Sequence, residues 1–363
     1  MAVMKIIQVI ARLNQGGTAR WIETLVTGLR DSNHEVILIS GSVESNEIED
    51  PCFVSLGAIR VPGLGRSVSV AKDIKCIFAL RRIFKVEKPD LVNTHTAKAG
   101  ALARIAALGI PTKVVHTFHG HILYGYFPRY KTKVFVLIEK ILALQTDALI
   151  SVGAQVRDDL VESGVSTTSK FHIIGPGIKI TNAEGRVEAR KDFSLGTDDF
   201  VVGWLGRLVK IKRPDVLLEI AKEIPEAFFL VGGAGELEEI IISSKNKNLK
   251  FIGWAKPEEF WPACDIALLT SDNEGLPTAL IEAAMCEVPI IARNVGSVRE
   301  IFEENIGGYL FEDSNQAVEQ IKSLIKNKTA AEKAGIAANK FANSRFSKEL
   351  FIQKHIDLYE SLI

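Results

Sequence analysis

The 363-residue chain predicts an α/β protein built from two doubly wound domains. Three observations carry that prediction. The length exceeds one ordinary α/β domain and suits two of similar size. Short β-branched runs alternate with helical patterns from end to end, the signature of parallel sheets. The alternation pauses once, over "HIIGPGIKITNAEGRVEARKDFSLGTDD" (172–199), where glycine, proline and charge replace apolar periodicity and a linker is expected. With 47% hydrophobic and 24% charged residues, each half can bury a core.

In the first half, "MKIIQVIA" (4–11), "HEVILIS" (34–40), "DLVNTHT" (90–96), "KVVHTFH" (113–119) and "DALISVG" (147–153) read as strands. Between them "TARWIETLVTGLR" (18–30) and "KAGALARIAAL" (98–108) read as helices. In the second half the strands are "FVVGWLG" (200–206), "AFFLVGG" (227–233), "LKFIGW" (249–254), "DIALLTS" (265–271) and "VPIIAR" (288–293), and past Asn315 the chain reads as helical. Doubly wound sheets bind ligands at the carboxyl ends of their strands, so the cleft between the domains is the expected site.

The zero net charge hides an asymmetry. Residues 1–180 hold 22 Lys+Arg against 15 Asp+Glu, and residues 181–363 hold 22 against 29, so the halves carry +7 and −7. A basic first half suggests that it faces something anionic. Cys52, Cys76, Cys264 and Cys286 form no CxxC pair, which argues against a disulfide framework and a cysteine metal site and suits a reducing cytosol. No apolar run reaches the roughly 18 residues that span a bilayer. The start, "MAVMKIIQVIARLNQGG", lacks a basic n-region and is not read as a signal peptide. A cytoplasmic protein is expected.

Four constellations point to chemistry. In "LNQGGTARWIETL" (13–25), Gly16 and Gly17 follow the first strand and Thr18 is placed to cap the next helix. Glycine lets the backbone approach a ligand, and helix-terminal N–H groups favour phosphate. In "VVHTFHGHILYGYF" (114–127), strand alternation puts His119 with Val115 and Thr117 and turns His116 to the opposite face, which splits the apparent HxxHxH cluster and disfavours zinc. His119 is left either contacting a polar ligand or bonded to backbone in the core. In "GWLGRLVKIKRPDVLLEIA" (203–221), Arg207 and Lys212 follow a strand and can converge on a diphosphate, while Lys210 and Arg213 read as a solvated basic loop.

The fourth is "SDNEGLPTALIEAAM" (271–285). Proline favours a first helical turn, so the helix should start near Pro277, with Glu274 on the loop before it and Glu282 in its second turn. Free N–H groups from Gly275 through Leu276 and Pro277's neighbours to Thr278 suit a phosphate or sugar hydroxyl. Eight helical steps would separate the carboxylates by about 12 Å, too far to share a proton. Each is therefore assigned a different part of one extended ligand.

Taken together, the "GG" after strand one, "HTFHG", "GRL" with Lys212, "VGGAGELEE", "FIGW" and "SDNEGLPTALIEA…VPIIAR" resemble retaining glycosyltransferases of family 4, which have the GT-B fold. The resemblance covers nearly the whole chain and implies two Rossmann-like domains. An acceptor domain would span residues 1–178, rejoined by a helix at 347–363, and a nucleotide-sugar donor domain would span 179–346. It implies that Arg207 and Lys212 neutralise the donor diphosphate, Glu282 holds the ribose and Glu274 the hexose. Gly275, Leu276, Pro277 and Thr278 would line the sugar and phosphate. His119 would lie beside the reacting sugar, Gly16 and Gly17 would meet phosphates and acceptor, and Gly233 and Trp254 would border the nucleotide. No cofactor and no metal are implied, and transfer would retain configuration by front-face attack.

The chain departs from the family pattern at Arg213, often glycine, at "GAQVR" (153–157) for "SEAVR", and at Lys179 in "GIK" for "GID". These departures leave the donor diphosphate site intact and bear on the acceptor contacts. "HTHTAKAGALARIAA" and "HTFHGHILYGYF" look most like members that build bacterial surface polysaccharides on polyprenyl-linked acceptors. A UDP-linked hexose or N-acetylhexosamine is the expected donor, a lipid-linked or glycan acceptor its partner, and no nucleic acid is expected. Independently, "YFPRYKTKVFVLIEKIL" (126–142) mixes Tyr126, Phe127, Tyr130 and Phe135 with Arg129, Lys131, Lys133 and Lys140. A basic, aromatic amphipathic stretch suits an anionic membrane surface, here the cytosolic face of the inner membrane; a core-facing helix with a wet basic side is the competing account. Two other functions fit the fold: a GT-B sugar-nucleotide epimerase and a non-catalytic partner subunit.

Overall fold

The computed structural model describes residues 2–45, 47–65, 67–120, 129–180 and 185–363, the side chain of Arg129 excepted. The chain divides into two compact units, Met1–Gly177 with Lys348–Ile363, and Ile178–Ser347. Each is organised by one parallel sheet.

The first sheet contains β1 (Lys5–Ile10), β2 (Glu35–Ser40), β3 (Ile59–Arg60), β4 (Leu91–His95), β5 (Lys113–Phe118), β6 (Ala148–Ser151) and β7 (Phe171–Ile173). Their order is β3-β2-β1-β4-β5-β6-β7, every pair parallel. The winding reverses between β1 and β4, which leaves a crevice at their carboxyl ends. Strands covered on both faces read as near-continuous apolar runs, and Ile6, Ile7, Val9 and Ile10 are all fully buried, with the polar Gln8 among them. One face packs Ile7, Val9, Val92 and Val114 against the helices Val70–Glu87 and Ala97–Ala107. The helix Arg129–Leu144 lies beside the second of these.

The opposite face is covered by the helices Gly17–Asp31 and Lys348–Leu362. They touch because Gly28 has no side chain: a Cβ there would fall 2.3 Å from Ile352 Cδ1. This contact brings the end of the chain back onto the first unit.

The second sheet contains β8 (Val201–Leu205), β9 (Phe228–Gly232), β10 (Leu249–Phe251), β11 (Ile266–Leu269), β12 (Ile290–Arg293) and β13 (Gly308–Phe311). The order is β10-β9-β8-β11-β12-β13, again wholly parallel, with its reversal between β8 and β11. Phe229, Val231, Ile266 and Leu268 pack with Leu217 and Ile220 of the helix Pro214–Glu223.

Three strands escape the sequence reading: Ile59–Arg60 and Phe171–Ile173 at the two edges of the first sheet, and Gly308–Phe311 at an edge of the second. The segment 172–199 is also more than a linker. It contains the helix Arg186–Asp192, whose buried Arg190 donates to Asp265 Oδ2 at 2.7 Å and to the carbonyls of Gly196 and Thr197 at 3.0 and 2.8 Å. The same carboxylate oxygen accepts from Val201 N at 2.7 Å, so an ion pair anchors this turn beside β8. Among the described residues no helix is long and apolar enough to cross a membrane.

Candidate functional site

In the second unit the winding reverses where β8 and β11 end, and the loops leaving them are stitched together. Trp204 Nε1 donates to Thr270 Oγ1 at 3.0 Å, Thr270 Oγ1 donates to the Lys212 carbonyl at 2.8 Å, and Asp272 N donates to the Ile211 carbonyl at 2.8 Å. The stitching sets Lys212 Nζ 2.5 Å from Glu274 Oε1, and Ser271 Oγ donates to that same oxygen at 2.6 Å. Glu274 Oε2 takes no hydrogen bond among the described residues. The two side chains are 19% and 10% exposed, so this ion pair is shielded from screening that weakens surface pairs. Ser271 was not singled out by the sequence. A polar residue at the end of a buried strand, three positions before Glu274, is the signal that marks it.

Arg207 is exposed and forms no ion pair among the described residues, leaving a free cation on the turn that carries Lys212. Lys210 is exposed too, but Arg213 is not the solvated residue expected. It pairs with Asp215 at 2.7 Å and Asp272 at 3.1 Å, and Asp272 also contacts Arg293. Arg213 has φ 51°, the left-handed region that favours glycine. That explains why glycine is common at this position, and its two carboxylate partners offset the strain here.

The helix Thr278–Met285 follows Pro277, as its proline predicts, with Glu274 on the preceding loop. The N–H groups of Gly275 and Leu276 donate to nothing among the described residues, and those of Thr278 and Ala279 have no partner within the helix, while Leu280 N donates to the Pro277 carbonyl at 3.1 Å. The loop rests on Gly296, where a Cβ would stand 1.9 Å from the Glu274 carbonyl, and Ser297 N donates to the Gly275 carbonyl at 3.1 Å. Glu282, the fifth residue of this helix, is 5% exposed. Together with burial, its charge pushes the Cys286 thiol up to about 12. All four cysteines are buried and unpaired by disulfides.

Gly233 and Trp254 sit on the neighbouring loops. Gly233 has φ 141°, and a Cβ there would lie 1.8 Å from the Gly206 carbonyl, so only glycine lets these two turns close. Gly233 N donates to the Gly253 carbonyl at 2.7 Å, and Trp254 stands 54% exposed.

The first unit holds the other group. Gly16, at φ 146°, caps the helix Gly17–Asp31 with no side-chain hydrogen bond. Thr18 therefore lies inside the first turn and is not the cap, because the glycine reaches a backbone geometry that threonine avoids. His119 follows β5 by one residue, and its ring packs edge-on against Trp21 of this helix with centroids 5.0 Å apart. Its Nε2 lies 3.0 Å from His95 Nδ1. Burial, with His355 nearby, lowers the His119 pKa to about 3, so the ring is neutral. His116 turns to the opposite face, 2.8 Å from Thr94 Oγ1. Residues 121–128, including His121, Tyr126 and Phe127, lie outside the described residues. Among the described residues no group of three His, Cys, Asp or Glu is placed to hold a metal ion.

His95 was missed by the sequence reading, as was Gln8, whose Oε1 lies 2.8 Å from His95 Nε2. Both are fully buried polar residues in central strands, and such residues occur where they have partners.

On the helix Arg129–Leu144, Lys131, Lys133 and Lys140 are exposed, as expected of a wet basic side. The same side also exposes Tyr130, Val134, Leu137, Ile138, Ile141 and Leu144. The helix therefore divides its apolar residues between an exposed and a buried side. Leu142 and Ala143 face inward, together with Glu139, which pairs with the buried Arg104 at 2.7 Å. The Arg129 side chain lies outside the described residues.

Comparison with known proteins gives these geometries a family. Residues 15–182 match the Glycosyltransferase Family 4 model, and residues 186–341 match that of glycosyl transferases group 1. The chain is 28% identical over 341 residues, 88% of each chain, to the Escherichia coli UDP-Gal:alpha-D-GlcNAc-diphosphoundecaprenol alpha-1,3-galactosyltransferase. It is 26% identical over 319 residues to the Staphylococcus aureus capsular polysaccharide biosynthesis glycosyltransferase CapM, covering 82% of this chain and 83% of the relative. Anabaena Alr3699/HepE, solved with UDP and glucose, shares the fold with a TM-score of 0.82 at 19% identity, over 99% of this chain and 100% of that one. With one family model on each half and two wholly parallel doubly wound sheets, the chain belongs to the glycosyltransferases of the GT-B fold.

Proposed function

We propose that this glycosyltransferase moves a hexose or N-acetylhexosamine from a UDP-sugar to a polyprenyl-linked or glycan acceptor in the synthesis of a bacterial surface polysaccharide, with retention of configuration and no metal. The observation that carries the donor half is the Lys212–Glu274 pair beside the unpaired Arg207 at the reversal of the second sheet. Two cations on one turn neutralise a diphosphate as Mg²⁺ does elsewhere. Glu274 keeps Oε1 on Lys212 and Ser271, so Oε2 is the oxygen that accepts from a sugar hydroxyl. Glu282 takes the ribose, and Gly233 and Trp254 border the nucleotide. The N–H groups of Gly275 to Thr278, proline excepted, meet sugar and phosphate. Gly16, Gly17 and His119 serve the acceptor and the transferred sugar. The donor and acceptor in the name of the Escherichia coli relative, UDP-Gal and alpha-D-GlcNAc-diphosphoundecaprenol, support this reading.

In the reaction the acceptor O–H bond breaks as its oxygen bonds C1 of the sugar on the face that the phosphate leaves. The C1–O bond to phosphate breaks, and the proton passes to a departing phosphate oxygen. Arg207 and Lys212 hold the growing charge of the nucleoside diphosphate, where preorganised cations contribute most.

A membrane surface is the proposed working place. Beyond the apolar side chains exposed on Arg129–Leu144, Ile105 of the adjoining helix, Leu108 at its cap, and Ile74 and Phe78 of the next helix are exposed. Lys72, Lys75, Arg82, Lys85, Lys131, Lys133 and Lys140 are exposed on the same helices, whose acids are paired: Asp73 with Lys98, Glu87 with Lys5 and Glu139 with Arg104. Exposed apolar side chains together with basic ones match an anionic bilayer. A sugar-nucleotide epimerase has no use for such a face.

The test is transfer from UDP-hexoses to a polyprenyl-diphosphate sugar in excess EDTA, with the product's anomeric configuration read by NMR. Retained configuration without metal is expected. An inverted product or a strict metal requirement contradicts the mechanism.

A further inference from the structure

In the first unit Gln8, Asn93, His95 and Thr117 share one face of the sheet, and His119 continues it just past β5. Beneath them stands Tyr359 of the returning helix, fully buried. Asn93 Nδ2 donates to the Tyr359 hydroxyl at 2.8 Å and accepts at Oδ1 from Thr117 Oγ1 at 3.1 Å. Gln8 Nε2 donates to the same hydroxyl at 3.4 Å, which aims Gln8 Oε1 at His95. With the Gln8 amide in this orientation its oxygen accepts, which assigns the proton between Gln8 and His95 to His95 Nε2.

Deep burial holds His95 neutral, and a neutral imidazole carries one N–H. With Nε2 protonated, His95 Nδ1 is an acceptor. The partner that it meets at 3.0 Å is His119 Nε2, which must then carry the proton of His119. His119 is neutral as well, so its Nδ1 is bare. That atom takes no hydrogen bond among the described residues, on a side chain that is only partly buried. Trp21, edge-on at 5.0 Å, fixes the plane of the ring.

We propose that Gln8 and His95 are positioning residues that set the tautomer of His119, placing its proton on Nε2 and presenting a bare Nδ1 that accepts a hydrogen bond from a hydroxyl of the transferred sugar. The proposal rests on the reading that His119 lies beside that sugar. It excludes His119 as a proton donor and as a cation for phosphate, and it makes the site select for a hydroxyl at one position. A sugar lacking that hydroxyl leaves Nδ1 unpaired, the kind of mismatch that polar sites reject strongly.

The full chain, labelled with ¹⁵N-histidine, tests it by long-range ¹H–¹⁵N correlation, with His119 assigned through the signals lost in His119→Phe. The expected spectrum shows His95 and His119 both protonated on Nε2 at neutral pH, and UDP-hexose perturbs the His119 Nδ1 resonance. Gln8→Leu removes the acceptor, moves His119 away from the Nε2–H tautomer and raises KM for the donor about tenfold, the loss of one hydrogen bond, with a smaller change in kcat. Gln8→Glu keeps an accepting oxygen and restores the tautomer. A His119 protonated on Nδ1, the opposite polarity of the same chain, overturns the proposal, and that wild-type measurement stands even if Gln8→Leu does not fold. So does an unchanged tautomer in a folded Gln8→Leu. The spectrum is first recorded without sugar, so a failure here is separable from a failure of the transferase reading, which the transfer assay decides. An Nε2–H His119 that ignores UDP-hexose in an enzyme that transfers sugar overturns the sugar contact.

Discussion

Glu274 and Glu282 differ in what surrounds them, and that difference predicts different failures. Glu274 is held by Lys212 and Ser271 on a loop, with one oxygen open; Glu282 is buried within a helix. Glu282→Ala should weaken UDP and UDP-sugar alike, roughly 10–100-fold for a lost charged hydrogen bond. Glu274→Ala should leave UDP affinity near wild type and cut transfer. Calorimetric titration with UDP and with UDP-sugar separates the two, and equal loss of UDP affinity in both variants would remove the division of labour. Arg207→Ala and Lys212→Ala should each lower kcat by about 10²–10³. At this scale much was legible. Arg207, Lys212, Glu274 and Glu282 stand out because charge placed on strand-end turns and in an apolar run needs a reason. The roles of Gln8 and His95 were not legible, because a hydrogen-bond partner across the sheet depends on register that spacing along one strand does not reveal; Ser271, three residues from its partner Glu274, carried a local signal.

Among the elements, the helix Arg129–Leu144 shows how periodicity can mislead. An amphipathic pattern says that two faces differ but not which one is wet. The lysines suggested the wet side, yet Val134, Leu137 and Ile141 are over half exposed, and the core is met by Leu142, Ala143 and an ion pair. Replacing Lys131, Lys133 and Lys140 together by glutamine should lower pelleting with phosphatidylglycerol vesicles by about 100-fold, at about 1 kcal/mol per lysine. Leu137→Ser with Ile141→Ser should lower it further, by removing apolar insertion. Pelleting unchanged in both sets would dismiss the membrane surface. The central strands were legible because burial on both faces forces apolar runs. The two-residue edge strand Ile59–Arg60 was not, since both its residues are exposed and no apolar pattern is required of it.

On the scale of the whole chain, all seven histidines lie in the first unit and none in Ile178–Ser347. His95, His116, His119 and His355 have pKa values lowered by burial from 6.5, those of His119 and His355 to about 3 and 4. The unfolded chain then binds more protons than the folded one below pH about 6.5, so stability is retained above that value and falls as pH decreases. Each such histidine contributes a slope of about 1.4 kcal/mol per pH unit. Between pH 7 and 5, hydrogen exchange should show the first unit losing protection while Ile178–Ser347 keeps it. Equal loss in both units would mean that the buried histidines are not the acid-sensitive element. The +7 and −7 halves, read directly from the sequence, agree with the membrane face proposed for the first unit.

The central claim is that the second unit grips a uridine diphosphate sugar through Arg207 and Lys212 without metal. Thermal unfolding in EDTA against UDP-, GDP-, ADP- and dTDP-sugars tests it most directly. A ligand at 100 times its Kd stabilises by about 2.7 kcal/mol. The account predicts a clear rise in Tm with UDP-sugars that Arg207→Ala and Lys212→Ala abolish. No rise with any UDP-sugar, or an undiminished rise in both variants, would contradict it.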